Sequence, residues 1–135
     1  MSGVPDISTT PRRIRALVVD DSPDAAESLA RLLEAMGCDA SFVVDSARAM
    51  AAVMDHQPDI VFLDLKMPPP DGYVLARLIR SNYGRRIHTV ALTGWVSSHD
   101  GEESGLSGFD ARLLKPARPD LIESILKKLV PSAES

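Results

Sequence analysis

Four short apolar runs in this 135-residue chain each end in a residue that can do chemistry. Residues 14–19 lead into Asp20-Asp21, Ile60-Val61-Phe62-Leu63 leads into Asp64, residues 87–92 lead into Thr93, and residues 111–114 lead into Lys115. If the runs are strands of one sheet, three carboxylates, a hydroxyl and an ammonium gather along one edge. Carboxylates that converge repel one another unless a positive charge intervenes. A hard divalent cation with oxygen ligands meets that need, and Mg²⁺ commonly uses one or two carboxylates with waters and phosphate oxygens. A carboxylate nucleophile, a metal, an ammonium and a hydroxyl together suit phosphoryl transfer, which depends mainly on positioning and charge stabilisation.

The elements that must position these residues follow from the spacing. Ser22-Pro23 opens a helix, because Ser caps well and Pro suits the first helical position. Ala26, Leu29, Leu33 and Met36 give that helix one apolar face, and Gly37 stops it. A second strand is expected over residues 40–44. Ser46 then caps a helix with Met50, Val53 and Met54 inward, ending before Pro58. The run before Asp64 is continuously apolar, as in a strand buried on both faces. Asp71 caps a third helix with Val74, Leu75, Leu78 and Ile79 inward, closed by Gly84. The fourth strand spans residues 87–93 and the fifth residues 111–114. The last helix turns Leu121, Ile125 and Leu129 inward, with Lys127 and Lys128 at its negative end. Between the last two strands, residues 95–108 hold Gly101, Gly105 and Gly108 and predict a short, frayed helix, because each interior Gly costs roughly 1 kcal/mol relative to Ala.

Strict strand–helix alternation predicts an α/β fold with a doubly wound, five-stranded parallel sheet; the order expected for it is 2-1-3-4-5, one of the common doubly wound arrangements. Ligands of such sheets bind outside the carboxyl ends of the strands, where the strand order reverses. One domain is expected over residues 13–130, between a polar tail at 1–12 and a short tail at 131–135. The composition is 44% hydrophobic and 25% charged with net charge −4, which gives nucleic acid no basic surface to bind. Cys38 is the one cysteine, so no internal disulfide can form and a small buried side chain is the expectation. No apolar run is long enough to span a membrane and no secretion signal opens the chain, which places it in the cytoplasm.

With these residues in view, the chain resembles the receiver domains of bacterial response regulators, in their chemotaxis-regulator-like form. Val18-Val19-Asp20-Asp21 resembles the family's acidic pair, and Asp64-Leu65-Lys66-Met67-Pro68 with Asp71-Gly72 resembles its phosphoacceptor segment. Ala91-Leu92-Thr93-Gly94 resembles the switch-threonine segment, and residues 108–116 (GFDARLLKP) the lysine–proline segment. Each motif is weak alone; in this order and at these spacings they support one another over residues 13–130. The resemblance implies that Asp64 is phosphorylated by a phosphohistidine on a sensor histidine kinase or histidine phosphotransfer protein. It implies that Asp21, Asp64 and the Lys66 backbone carbonyl ligate Mg²⁺, with Asp20 acting mostly through water. Thr93 and Lys115 would contact the phosphoryl group, the peptide bond before Pro116 would be cis, and a conformational switch would signal to a downstream protein. The oligomer is left open between a monomer and a weak phosphorylation-dependent dimer.

Two features depart from the family pattern. Arg112 stands where an aromatic residue is common, so an aromatic rotation there is ruled out. Trp95 and Lys66 flank the site opening and are expected to set the lifetime of the acyl phosphate by organising water. Asp20-Asp21 could instead be helix caps, Thr93 an ordinary strand end, and Lys115 a surface ion pair, although all four at one sheet edge is a demanding coincidence. His56, His88 and His99 lack metal-ligand spacing and read as structural or solvated.

Other functions fit less well. A small Mg²⁺-dependent phosphohydrolase of the haloacid-dehalogenase type would carry Asp two positions after its nucleophile, where Lys66 stands. A flavin module needs a phosphate cradle after the first strand, where Asp20-Asp21 would repel it. A degenerate, interaction-only receiver would lack the acid, Thr and Lys set. The expected chain carries no DNA-binding or catalytic output domain. It is a single-domain regulator, a phosphorelay shuttle or the receiver piece of a hybrid sensor kinase, with Met1 and the polar tail leaning to a stand-alone protein.

Overall fold

The computed structural model describes residues 13–94 and 108–130. The expected tails, the frayed helix after Gly94, Trp95 and His99 lie outside the described residues. The strands are β1 (Arg15–Val19), β2 (Asp39–Val43), β3 (Ile60–Asp64), β4 (His88–Thr93) and β5 (Ala111–Leu114). The helices are α1 (Pro23–Ala35), α2 (Ala49–His56), α3 (Gly72–Tyr83) and α4 (Pro119–Leu129). All strand pairs are parallel, as the alternation predicts, and the order is the expected β2-β1-β3-β4-β5. Among the described residues no helix is long and apolar enough to cross a membrane.

Alternation along the strands divides the core in two, because successive side chains point to opposite faces. Ala16, Val18, Phe62, Val90 and Leu113 face α1 and α4, meeting Leu29, Leu33, Ile122 and Leu126. Leu17, Val19, Val61 and Leu63 face α2 and α3, meeting Val53, Leu75 and Ile79. Every residue of β3 is buried, which explains its unbroken apolar run. Phe62 is fully buried at the centre, and truncating such a side chain to Ala costs about 3–5 kcal/mol.

The caps behave largely as their chemistry predicts. Ser22 Oγ accepts from the Ala25 amide and Pro23 opens α1, while Gly37 leaves the helix at φ +97°. Asp71 caps α3 by accepting from the Val74 amide at 3.0 Å. Lys127 and Lys128 occupy the last turn of α4. Cys38 is buried and free.

Several details differ from expectation. Ser46 does not cap α2. It lies in a 3₁₀ turn, Ser46–Arg48, capped by Asp45, and its buried hydroxyl donates to the Pro68 carbonyl at 2.8 Å. The turn rotates α2 so that Met54 is 65% exposed, and Gln57 in the left-handed region ends the helix. Leu78 and Leu121 are exposed rather than inward. In α4 the buried positions are Ile122 and Leu126, so the expected stripe of 121, 125 and 129 runs along one margin of the true face. The strands β1 and β4 begin one residue later than expected. β2 sits one residue earlier, because its pairing with β1 ends at Val19 opposite Val43 and leaves Val44 outside the sheet.

Candidate functional site

The strand order brings the predicted residues together. Val19 pairs with Leu63, so Asp20, just past the end of β1, and Asp64, the last residue of β3, emerge side by side. Asp64 pairs with Leu92, one residue before Thr93, and Thr93 pairs with Leu114, one residue before Lys115. Backbone hydrogen bonds extend the ladder past the strand ends. The Asp20 amide donates to Val43 at 3.2 Å, the Leu65 amide to Leu92 at 3.2 Å and the Lys115 amide to Thr93 at 2.8 Å. The edge is therefore tied together where the polar side chains emerge.

Asp20, Asp21 and Asp64 each offer a carboxylate oxygen within 4.8 Å of the others. Asp20 is 1% exposed and Asp64 is 7% exposed, whereas Asp21 is open to solvent. Lys115 Nζ lies 2.8 Å from Asp20 Oδ2 and 3.4 Å from Asp64 Oδ2. The second oxygen of each buried carboxylate accepts from a local backbone amide: Asp20 from Ser22 at 3.0 Å and Asp64 from Lys66 at 3.2 Å. Thr93 is buried beside them. The Lys66 side chain is exposed, and the peptide bond between Lys115 and Pro116 is cis, as the resemblance implies. A second cis bond joins Pro69 and Pro70.

Opposing influences act on each charge in this cluster. Burial pushes the Asp64 carboxyl up, the Asp20 charge adds to that, and Lys115 and the Lys66 amide pull back, leaving it at about 6. Burial acts to lower the Lys115 ammonium, yet its bond and attraction to Asp20 and Asp64 prevail and its pKa is raised. Three carboxylates against one ammonium leave a deficit of positive charge. Hard oxygen donors gathered this closely fit a small divalent cation such as Mg²⁺.

Two contributors escaped sequence reasoning. Gly72 packs its backbone onto the end of β3: a Cβ there would lie 2.4 Å from the Asp64 carbonyl oxygen. The signal was present in Asp71-Gly72, but it reads as helix punctuation until the contact is seen. Tyr73, the next residue, lines a cavity of about 220 Å³ together with Asp64, Lys66, Thr93, Gly94 and Lys115. A larger groove of about 540 Å³ runs beside the site along α1, bounded by Ala25, Leu29, Leu32 and Pro116. Of the residues expected away from the site, Arg112 is exposed on β5. His56 lies 3.0 Å from the Asp39 carbonyl, and His88 lies 3.7 Å from Asp110, so neither joins the acidic cluster.

The family model for the response regulator receiver domain matches residues 16–127. The chain is 35% identical over 118 residues to the DNA-binding response regulator MtrA of Mycolicibacterium smegmatis, covering 87% of this chain and 51% of that protein. It thus spans about half the length of that relative. It is 32% identical over 123 residues to protein PilG of Pseudomonas aeruginosa, covering 88% of this chain and 89% of that protein. Among solved structures, the receiver domain of sensor histidine kinase PA1611 from Pseudomonas aeruginosa, with a magnesium ion coordinated in its active site cleft, superposes with a TM-score of 0.78 at 26% identity. That match covers 89% of this chain and 99% of the other.

Proposed function

The chain belongs to the response regulator receiver domain family, and from that premise we propose that Asp64 accepts a phosphoryl group from a phosphohistidine of a sensor kinase or histidine phosphotransfer protein. The observation that carries this reading is Asp64 itself. It is a buried carboxylate at the end of β3, 3.4 Å from the Lys115 ammonium and clustered with Asp20 and Asp21. An Asp64 oxygen attacks phosphorus, the P–N bond to the donor imidazole breaks, and the imidazole keeps its electron pair and takes a proton from solvent. At neutral pH Asp64, with its pKa near 6, is mostly the carboxylate that this attack requires.

Asp20, Asp21, Asp64 and the Lys66 backbone carbonyl would hold Mg²⁺, which when bound neutralises charge on the phosphoryl oxygens. Lys115 supplies a fixed positive charge beside the same oxygens. Thr93, at the end of β4, offers a hydroxyl to the transferred group, which brings about −1.5 to −2 of charge at neutral pH. Drawing Thr93 toward that charge shifts the domain between two arrangements, and the altered surface signals to a downstream protein. The groove along α1 gives a donor protein an apolar surface next to the site.

The domain works in the cytoplasm, acts as a signalling receiver and catalyses only its own phosphorylation and dephosphorylation. Its likeness to the receiver of a sensor histidine kinase supports the alternative that it is one part of a hybrid kinase.

Intact mass after incubation with Mg²⁺ and a small acyl-phosphate donor tests the reading. One added phosphoryl group in the parent and none in Asp64→Ala is the expected result. A folded, Mg²⁺-binding parent that neither gains the group nor binds beryllofluoride would overturn it.

A further inference from the structure

Tyr73 is fixed against the phosphoryl site by its neighbours in sequence and in space. Gly72 is docked on the Asp64 carbonyl, where a Cβ would fit only at 2.4 Å, and Asp71 anchors the first turn of α3 through the Val74 amide. One residue further on, Tyr73 has little freedom to move relative to Asp64. Its ring meets Phe109 edge-on, with centroids 6.1 Å apart and planes at 75°, an arrangement that aromatic pairs favour. Phe109 itself packs on the core beneath α2 and α3 and leads into β5, which runs on into Lys115. The half-buried ring is therefore held from two sides, and it lines the small cavity that holds Asp64, Thr93 and Lys115.

We infer that Tyr73 is an access-limiting residue: its ring walls the α3 side of the phosphoryl cavity and restricts the approach of water, lengthening the life of the acyl phosphate on Asp64. The inference rests on the phosphoacceptor reading above. In the step it restrains, a water oxygen bonds to phosphorus and the bond from phosphorus to the Asp64 oxygen breaks. Inorganic phosphate leaves, Asp64 is again a carboxylate, and the water's protons pass to phosphate and solvent. No charge on Tyr73 enters this step. The ring acts by occupying space that an attacking water would otherwise use, so the aromatic bulk is what the effect requires.

The test compares the parent with Tyr73→Ala, Tyr73→Phe and Tyr73→Leu, each charged with Mg²⁺ and an acyl-phosphate donor, stripped of donor and followed by intact mass. Tyr73→Ala should lose its phosphoryl group about tenfold faster, corresponding to roughly 1.4 kcal/mol of barrier. Tyr73→Phe should decay within about twofold of the parent, a shift of well under 1 kcal/mol. Mg²⁺ affinity, read from the metal's effect on thermal unfolding, should be the same in all four, which separates lost shielding from a distorted site. Tyr73→Leu keeps apolar bulk on α3 and stands in if the alanine variant does not fold; it too should decay faster than the parent. Parent-like decay in the folded Ala or Leu variant would overturn the inference, as would decay of Tyr73→Phe at the alanine rate. A folded, Mg²⁺-binding parent that neither gains the phosphoryl group nor binds beryllofluoride would instead overturn the phosphoacceptor reading, and this inference with it.

Discussion

The Lys115 ammonium stands 2.8 Å from Asp20, a carboxylate that is only 1% exposed. A buried carboxylate without a partner is costly, so Lys115 both serves the site and holds the metal-free fold together. Lys115→Met should therefore destabilise the metal-free protein by about 2 kcal/mol, less than for a fully buried pair because solvent reaches part of the lysine. Mg²⁺ supplies the missing positive charge, so it should raise the unfolding temperature of Lys115→Met more than that of the parent. Thermal melts of both proteins with and without Mg²⁺ check this; equal increments would show that the ion and the ammonium do not substitute for each other. The raised pKa of Lys115 has its own sign: the stability it brings is complete below the ordinary lysine value of 10.5 and is lost as pH rises through the higher folded value.

The Asp64 carboxyl, at about 6 in the fold against an ordinary 3.8, sets a second pH dependence. The folded state binds this proton more tightly than the unfolded state does. Its contribution to metal-free stability is therefore fullest below about pH 4 and is lost as pH rises through about 6. If Asp64 is a ligand as proposed, protons and Mg²⁺ compete for the same oxygen. At fixed Mg²⁺ the thermal stabilisation by the metal should be small near pH 5 and should grow until about pH 7.5. A metal effect that is flat across that range, with the protein folded throughout, would contradict the assignment of Asp64 as a ligand.

Gly72→Ala should be harmful despite alanine's better helix propensity. The added Cβ would meet the Asp64 carbonyl oxygen at 2.4 Å and the Leu65 Cα at 3.1 Å, both of them backbone. Relief requires α3 to move away from β3, and overpacking of this kind costs about 1–3 kcal/mol, more than the helix-propensity gain of up to about 1 kcal/mol. Because the obstacle is the backbone of the proposed phosphoacceptor, phosphorylation by a small donor should slow as stability falls. Urea unfolding and a mass-resolved time course measure the two effects in one preparation.

The site was readable where strand periodicity decides the outcome. Asp20, Asp64, Thr93 and Lys115 each close an apolar run, and a parallel sheet in this order can only gather such ends along one edge. The unread parts depend on contacts between segments that no local pattern encodes. Ser46 resembles a helix cap, yet its hydroxyl reaches across to Pro68 in the loop after Asp64. Gly72 looks like punctuation and Tyr73 like an ordinary first-turn residue until α3 is seen against β3. The rotation of α4 differs by one position from the periodicity, because Leu121, Ile122, Ile125, Leu126 and Leu129 satisfy two adjacent helical stripes and only packing against the sheet selects Ile122 and Leu126.

At the opposite end of β4 from the site, Thr89 is 1% exposed and its hydroxyl has no hydrogen-bond partner among the described residues. Its backbone is well satisfied: the amide donates to Asp110 Oδ2 at 2.8 Å and the carbonyl accepts from the Asp110 amide at 2.8 Å. The strand therefore does not depend on the hydroxyl, which was desolvated on folding without a compensating bond. Valine keeps the β-branched shape and removes only the polar atom. Thr89→Val should stabilise the protein by about 1 kcal/mol, since an unsatisfied buried hydroxyl costs roughly 1–3 kcal/mol. Mg²⁺ binding and phosphorylation should be unchanged, because Thr93 and Asp64 lie at the other end of the sheet. Urea unfolding decides the matter: a shift of the midpoint upward at constant slope is the expected result. A shift downward would mean that the hydroxyl finds a partner and contributes to the fold.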